Sequence, residues 1–237
     1  METKKHRDLF LVNQEFARYL YHDAARYEDA LYALISSHAA HFQPDGLRIE
    51  TSSHMELEEM SSPPFLLAFV DAIVQMTGAK TVLEIGTFVG SSTMQFAKMV
   101  GPTGHVTTLE IGKEFADIAR RNFAQNGLVD RITLIEGDAS TSLASLPKRS
   151  FDLVFIDGDK ERYLDLALEA ETLVTGKGVI IVDDVFFHGD AVNAVPSTPK
   201  GLGCKRLIEH YRADDRFGHL VLPIRNGLLV LFHRQSA

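Results

Sequence analysis

The chain has a single cysteine, Cys204, and no tryptophan. One cysteine excludes an internal disulfide and a metal site made of clustered cysteines, and it is typical of a protein from a reducing compartment. Long apolar runs are also missing. The most apolar window, residues 63–76, is interrupted by Asp71 and is too short to cross a bilayer. We therefore expect a cytoplasmic protein that does not enter a membrane.

Positive charge is scarce as well. The 24 Lys and Arg residues are outnumbered by 32 Asp and Glu residues, and the net charge is −8. This balance argues against nucleic acid or an anionic membrane surface as a partner.

Hydrophobic residues make up 45% of the 237 residues, which is enough for one α/β domain. We assign residues 51–237 to that domain. Residues 1–50 should be a helical extension that forms a lid or a dimer interface, or that only packs on the domain.

The most informative stretch is residues 81–92, T-V-L-E-I-G-T-F-V-G-S-S. Its apolar start, residues 82–85, is typical of a strand buried in a parallel sheet. Gly86 and Gly90 follow, and Ser92 belongs to a serine pair that predicts the N-cap of a helix. A glycine turn between a strand and a helix lets a ligand approach the backbone, whose free N–H groups then point toward it.

Two side chains of this stretch indicate the kind of ligand. Phe88 occupies the position where the dinucleotide fingerprint Gly-x-Gly-x-x-Gly has its second glycine. Glu84 places a carboxylate near the end of the strand, which suits a ligand carrying positive charge better than a pyrophosphate. A nicotinamide-dependent oxidoreductase is thus disfavoured, although it remains an alternative for a sheet of this kind.

Two further predicted strands, residues 105–109 and 132–135, are also followed by acids. Glu110 lies 24 residues after Gly86, at the end of the second strand. A carboxylate at this position can accept hydrogen bonds from both hydroxyls of a ribose. The alternative is a helix-start carboxylate favoured by the helix dipole. Asp138 follows the third strand, where it is also a candidate N-cap for the next helix.

Three more aspartates follow the next two predicted strands. Residues 152–156 run into Asp157, and residues 179–182 run into Asp183 and Asp184. Because parallel strands end at one edge of a sheet, these carboxylates should converge beside the glycine turn. Oxygen ligands alone predict a hard divalent cation, Mg²⁺ first and Mn²⁺ or Ca²⁺ next. Each aspartate could instead only cap a loop or a helix.

The end of the chain predicts a β-hairpin. Residues 220–224 and 228–232 are two β-type runs on either side of an Asn-Gly pair. Residues 186–203, which precede them, predict a long irregular loop that faces the substrate. His188 in that loop is a secondary candidate for a catalytic base.

Taken in order, these motifs resemble the class I methyltransferases that use S-adenosylmethionine. More narrowly, they are similar to the cation-dependent catechol and caffeoyl-CoA O-methyltransferases. The resemblance covers about residues 55–234. It implies an α/β fold with a Rossmann-like, doubly wound sheet of seven strands and an antiparallel C-terminal hairpin. The motifs that carry it are residues 84–90, Glu110, Asp138-Ala139, residues 157–160, Asp183-Asp184 and the Asn-Gly hairpin.

The resemblance also implies roles for individual residues. Asp157 and Asp183 match the two metal aspartates of the family, and we add Asp184, which falls where the family usually has asparagine. Lys160, three residues after Asp157, matches the catalytic lysine and would act as general base together with Asp157. The cofactor-binding residues would be Met60, Glu84, Gly86, Thr87, Phe88, Gly90, Ser92, Glu110, Asp138, Ala139 and Asp157.

The expected function is metal-dependent methyl transfer from S-adenosylmethionine to a hydroxyl of a small catechol or other vicinal diol. Two adjacent oxygens can chelate the metal, which is why a diol is favoured over a lone hydroxyl. The resemblance further implies a homodimer. A non-catalytic cofactor-binding scaffold is a second alternative, in which replacement of Lys160 would change nothing measurable.

Overall fold

The computed structural model describes residues 33–35, 37–39, 46–51 and 62–234 of the chain. Within residues 62–234, strands and helices alternate along most of the chain. The elements are α1 (Pro64–Thr77), β1 (Thr81–Ile85), α2 (Ser91–Met99), β2 (His105–Glu110), α3 (Lys113–Gln125), β3 (Ile132–Glu136), α4 (Ala139–Ser145), β4 (Phe151–Ile156), a 3₁₀ turn (Lys160–Arg162), α5 (Tyr163–Leu173), β5 (Val174–Val182), a second 3₁₀ turn (Asp190–Val192), α6 (Pro199–Ala213), β6 (Phe217–Leu222) and β7 (Leu228–His233).

The seven strands form one sheet in the order β3-β2-β1-β4-β5-β7-β6. Strands β1 to β5 are parallel, whereas β7 is antiparallel to both of its neighbours, β5 and β6. This arrangement confirms the predicted Rossmann-like sheet with its antiparallel C-terminal pair. Ile85 is level with Leu109 on one side and with Ile156 on the other, and Ile156 is level with Val182. The residues that follow these strands therefore reach the same edge.

Each face of the sheet is covered by helices, because alternate strand residues point to opposite faces. Ile85 and its same-face neighbours pack in one core with α5 and α6, and Val82 packs in a second core with α1, α2 and α3. A fully buried Val, Leu or Ile side chain contributes about 1.5–3 kcal/mol to folding. Packing of the sheet against both cores therefore fixes the positions of the strand ends, where the candidate site lies.

Two helix starts differ from the sequence-based expectation. The N-cap of α2 is Gly90, in the left-handed conformation with φ 84°, rather than a serine. The side chain of Ser92 is turned to another partner, Glu84. Helix α6 begins at Pro199, where Thr198 accepts a hydrogen bond from the backbone N–H of Gly201, so the end of the predicted loop 186–203 is helical. A proline at the first helical position favours this start.

The predicted hairpin is present, but its turn is longer than an Asn-Gly pair. Leu222 is opposite Leu228, so residues 223–227 form the connection. The backbone carbonyls of Asn226 and Gly227 accept hydrogen bonds from the N–H groups of Phe186 and Val185, at 2.6 and 3.0 Å. The turn therefore also holds the chain that leaves β5.

Most of the N-terminal extension, including the two helices expected within residues 8–43, lies outside the described residues. Residues 33–35 and 37–38 are helical. Residues 46–51 are attached to α3, where Glu50 pairs with Arg121 at 2.6 Å and its backbone N–H donates to Asn122 at 2.7 Å. In the described ranges, no helix combines the length and the hydropathy needed to cross a membrane.

Candidate active site

A cavity of about 650 Å³ opens at the carboxyl ends of the parallel strands. The strand order reverses between β1 and β4, and ligands of open α/β sheets bind at such a reversal. Of the predicted site residues, Glu84 and Gly90 do not line the cavity, and Met60 lies outside the described residues. The predicted site residues that line the cavity are Gly86, Thr87, Phe88, Ser92, Glu110, Asp138, Ala139, Asp157, Lys160, Asp183 and Asp184.

The glycine turn after β1 is held in a conformation that side chains would disturb. Gly86 has φ 106°, and a Cβ atom there would collide with the backbone carbonyl of Asp157. Gly90 has φ 84°, and its missing side chain leaves room for the ring of Phe123. The turn can therefore lie against the end of β4 with its backbone facing the cavity.

Glu84 is fully buried below this turn. Its carboxylate accepts hydrogen bonds from the hydroxyls of Ser92 at 2.5 Å, of Thr108 at 2.6 Å and of Thr93. Burial raises the pKa of Glu84 to about 7, although these three hydrogen bonds oppose the rise. Its predicted contact with a positively charged ligand is thus corrected to an indirect one. Glu84 positions Ser92, which lines the cavity.

Glu110 connects the end of β2 to the glycine turn. One carboxylate oxygen accepts the N–H of Phe88 at 2.7 Å, and the other accepts the N–H of Gly112 at 2.7 Å. These two bonds hold the carboxylate at the cavity wall. Two apolar side chains that the sequence reasoning missed, Ile111 and Phe115, also line this side, and Ile111 is 72% exposed. The sequence carried no signal for them, because the exposure of Ile111 is known only from the folded structure.

Asp138 has the N-cap role that its sequence position predicts, and it has a second partner. It accepts the N–H of Ser140 at 2.8 Å, and Arg162 donates to it at 2.9 Å. Hydrogen bonds from Ser140, and then from Arg162, hold the pKa of Asp138 below its ordinary value. Arg162 lines the cavity but was missed, because the pair joins residues that are 24 positions apart.

Two of the three aspartates after β4 and β5 contact one ammonium group. Nζ of Lys160 lies 3.2 Å from Asp157 and 3.2 Å from Asp184, while Asp183 is only 7% exposed. Burial raises the pKa of Asp183 well above its ordinary value, and the charges of Asp157 and Asp184 add to the rise. Burial also raises the pKa of Asp157, against the opposing charge of Lys160.

The same neighbouring carboxylates change the pKa of Lys160. Burial lowers it, but the charges and hydrogen bonds of Asp157 and Asp184 more than offset that effect, so the pKa of Lys160 is raised. The three carboxylates face the ammonium of Lys160 and the positive charge of Arg225, which acts on Asp157, so carboxylates still outnumber cations. Oxygen donors with excess negative charge are what a hard divalent cation requires, so the donor set fits one.

A more compact group of acidic and histidine side chains lies outside the cavity lining. Among the described residues, one group of three such side chains has all its ligand atoms within 4.8 Å, namely Glu171, His210 and Asp214. Arg216 already bridges two of them, at 3.2 Å from Glu171 and 2.6 Å from Asp214. The aspartates at the cavity are spread more widely, around Lys160.

The remaining wall comes from the chain after β5 and from the turn between β6 and β7. Phe187 and His188 line the cavity, as expected for the predicted loop. Lys200 at the start of α6 and Arg225 in the turn line it too, and neither was singled out from the sequence. A lysine in the first turn of a helix is common at protein surfaces, so the sequence alone gave no reason to choose it.

The model of a protein family described as O-methyltransferase matches residues 35–234. A catechol O-methyltransferase of Mycobacterium tuberculosis is 37% identical over 131 residues, which are 55% of this chain and 59% of that protein. A catechol O-methyltransferase of Niastella koreensis is 29% identical over 171 residues, or 70% of this chain and 77% of that protein.

Solved structures give the same result. The O-methyltransferase of Bacillus cereus in complex with SAH is 27% identical and superimposes with a TM-score of 0.68. The match covers 93% of this chain and 96% of the other. Sequence and fold therefore agree on one family over nearly the whole described part of the chain.

Proposed function

This chain belongs to the O-methyltransferase family and is an S-adenosylmethionine-dependent enzyme, and we propose that its acceptor is a small aromatic vicinal diol. We further propose that a divalent cation is required and that Lys160 is the general base. The observation that carries the proposal is the position of the Lys160 ammonium between Asp157 and Asp184, 3.2 Å from each, on the wall of the cavity.

The side of the cavity formed by β1, β2 and β3 suits the cofactor. The backbone at Gly86 lines the cavity, and the carboxylate of Glu110 is held where ribose hydroxyls could donate to it. Ile111 and Phe115 offer apolar surface to an adenine ring, with Asp138 at its edge. The acidic character of this side also suits the positive charge of the sulfonium.

The sulfonium of S-adenosylmethionine carries the methyl group in an activated form, so the chain mainly has to position the acceptor and remove its proton. When bound at Asp157, Asp183 and Asp184, a divalent cation would lower the pKa of an acceptor hydroxyl and replace Lys160 as counter-charge to the carboxylates.

Proton removal is the task of Lys160. Its side chain is only 14% exposed, which limits exchange of the proton with bulk water. With a divalent cation as counter-charge to the carboxylates, the Lys160 ammonium would lose its own proton more readily. In its neutral form Nζ then takes the hydroxyl proton as the hydroxyl oxygen bonds to the methyl carbon. The carbon–sulfur bond breaks, and its electron pair stays on sulfur, leaving S-adenosylhomocysteine. The wall formed by Phe187 and His188 would hold the acceptor ring over the aspartates.

The two alternatives lose support on separate grounds. A nicotinamide oxidoreductase would need a glycine turn that Phe88 interrupts, and the relatives are O-methyltransferases. A scaffold without activity has no use for a buried lysine held between two carboxylates at a cavity wall.

The proposal also includes the homodimer that the family resemblance implies, formed through residues 1–50. Light scattering of the protein with and without those residues measures its oligomeric state.

The test is methyl transfer from S-adenosylmethionine to a panel of catechols and matched monophenols, with EDTA and then with Mg²⁺, Mn²⁺ or Ca²⁺ restored. We expect transfer to the diols only, loss with EDTA and recovery with a divalent cation. Activity that persists in EDTA would contradict the metal role and leave the cofactor role intact. Equal rates with monophenols would contradict the chelated diol.

A further inference from the structure

The acceptor side of the cavity carries basic residues, although the protein as a whole is acidic. Lys200 and Arg225 both line the cavity. Lys200 belongs to α6 and Arg225 to the turn between β6 and β7, whereas Glu110 and Asp138 come from the ends of β2 and β3. The charge of Arg225 acts on Asp157, whereas the proposed cofactor position gives Lys200 no role.

The part of the wall that follows β5 has backbone conformations that are uncommon for residues other than glycine. Phe187, His188 and Gly189 have φ values of 42°, 53° and 88° in succession. Left-handed conformations are uncommon for residues other than glycine, and they persist only where the surroundings impose them. Here the imposed conformation places the rings of Phe187 and His188 at the cavity.

The chain directly after these residues is held at Asp190. Its carboxylate accepts hydrogen bonds from the N–H and hydroxyl of Ser197 at 2.8 and 2.9 Å, and from those of Thr198 at 2.9 and 2.7 Å. A Cβ atom at Gly201 would collide with this carboxylate. The start of α6 is thus fastened to the loop, and Lys200 is presented at a preformed wall rather than on a free tail.

Lys200 is placed to meet a ligand. It is exposed, its Nζ lies 6.0 Å from the centre of the Phe187 ring, and among residues 62–234 no carboxylate lies within salt-bridge distance of it. A ring that lies against Phe187 would bring its substituents close to this ammonium. An anionic substituent near Lys200 would have the ammonium as its counter-charge. It would also lie away from Asp157, Asp183 and Asp184.

We propose that the acceptor is an anionic aromatic diol, and that Lys200, assisted by Arg225, binds an acidic group on its ring. The inference rests on the proposed function, because it identifies the substrate class of the same site. The acidic group is recognised by charge, so a ring carboxylate serves as the probe.

The experiment compares 3,4-dihydroxybenzoate with its methyl ester and with 3,4-dihydroxyphenethylamine, which is cationic. We expect kcat/KM to be about fivefold higher for the acid than for the ester, as for one partly exposed ion pair, and lowest for the amine. In Lys200→Met the acid should lose more than the ester, so that the ratio approaches one, and Lys200→Arg should restore it. The ratio should also fall as ionic strength rises, because salt screens exposed charges.

Lys177→Met is the matched control, since Lys177 is exposed on β5 toward the strand end opposite the cavity and should leave the ratio unchanged. Binding of the acid and the ester to the protein with S-adenosylhomocysteine and Mg²⁺, measured by calorimetry, reports on Lys200 without turnover. Equal affinity for acid and ester, or the same preference in Lys200→Met, would overturn the inference. Failure of methyl transfer to every diol would instead contradict the proposed function, and the binding comparison would still decide the role of Lys200.

Discussion

The acids on the two sides of the cavity are balanced in different ways. On the cofactor side, Glu84, Glu110 and Asp138 each have dedicated partners within hydrogen-bond distance. On the acceptor side, Asp157 and Asp184 share one ammonium, and Asp183 accepts a hydrogen bond from the N–H of Asp184 at 2.7 Å.

The difference indicates two kinds of task. A carboxylate whose bonds are already made is held still, and it can offer a remaining lone pair to a neutral donor such as a hydroxyl. Carboxylates that share too little positive charge raise one another's pKa, and they gain from any cation that enters. Under the proposed function, the acids of the cofactor side would position a ligand, and those of the acceptor side would bind a cation.

Loss of the shared ammonium should have the largest effect. We expect Lys160→Met to lower kcat by about 10²–10⁴-fold, the usual contribution of a general base, with little change in the affinity for S-adenosylmethionine. Single-turnover kinetics and calorimetry measure the two quantities. Lys177→Met is the control for removal of a lysine charge. A loss of less than tenfold would mean that the ammonium only balances charge.

The buried acid of the cofactor side should appear in the pH dependence of stability. The pKa of Glu84 is about 7 when folded, against an ordinary value of 4.5. Because the folded pKa is the higher one, the folded protein binds more protons between these values, and stability falls as pH rises from 4.5 to 7. This shift corresponds to a decrease of about 3 kcal/mol in the free energy of unfolding.

Glu84→Gln should remove that component. Urea unfolding of both proteins across this pH range measures it, and the difference between their slopes isolates Glu84 from Asp157 and Asp183, which act in the same direction. If the free energy of unfolding had the same pH dependence in both proteins, Glu84 would be ionised in the folded state across this range. The predicted contribution of Glu84 would then be wrong.

Glu110 should show the positioning role in cofactor binding. We expect Glu110→Gln to weaken S-adenosylmethionine binding by about 10–100-fold, the effect of losing hydrogen bonds to a charged acceptor. Calorimetry measures this directly. Glu136→Gln is a matched control, because Glu136 ends β3 in a salt bridge with Arg120 at 3.0 Å and does not line the cavity. Equal losses in both variants would argue against a ribose contact.

Asp184→Asn should give the smallest change, since one partner of Lys160 loses its charge while Asp157 keeps it. We expect the Mg²⁺ concentration that supports half-maximal activity to rise by about fivefold, as for one partly exposed ion pair. A metal titration of the rate measures it. No change would mean that two aspartates suffice, and loss of the metal requirement would contradict the acceptor-side assignment.

Much of this arrangement could be predicted from the sequence. The apolar runs before Glu110, Asp157 and Asp183 predicted strands, and parallel strands end at one edge, so the acids had to lie along the cavity. The Asn-Gly hairpin was also predicted, although its turn contains five residues because it additionally binds the chain after β5. Helix caps were less certain, since Gly90 could take a left-handed conformation that made a serine cap unnecessary.

The side chains that complete the site depended on tertiary structure. The sequence by itself determined where each acid lies along the sheet edge, because strand periodicity and strand ends are local properties of the chain. Only the packed structure decided that Glu84 is buried under three hydroxyls, that Arg162 reaches Asp138 and that Lys160 is shared by Asp157 and Asp184. Hydrogen-bond partners and burial depend on groups from distant parts of the chain, which no local pattern encodes.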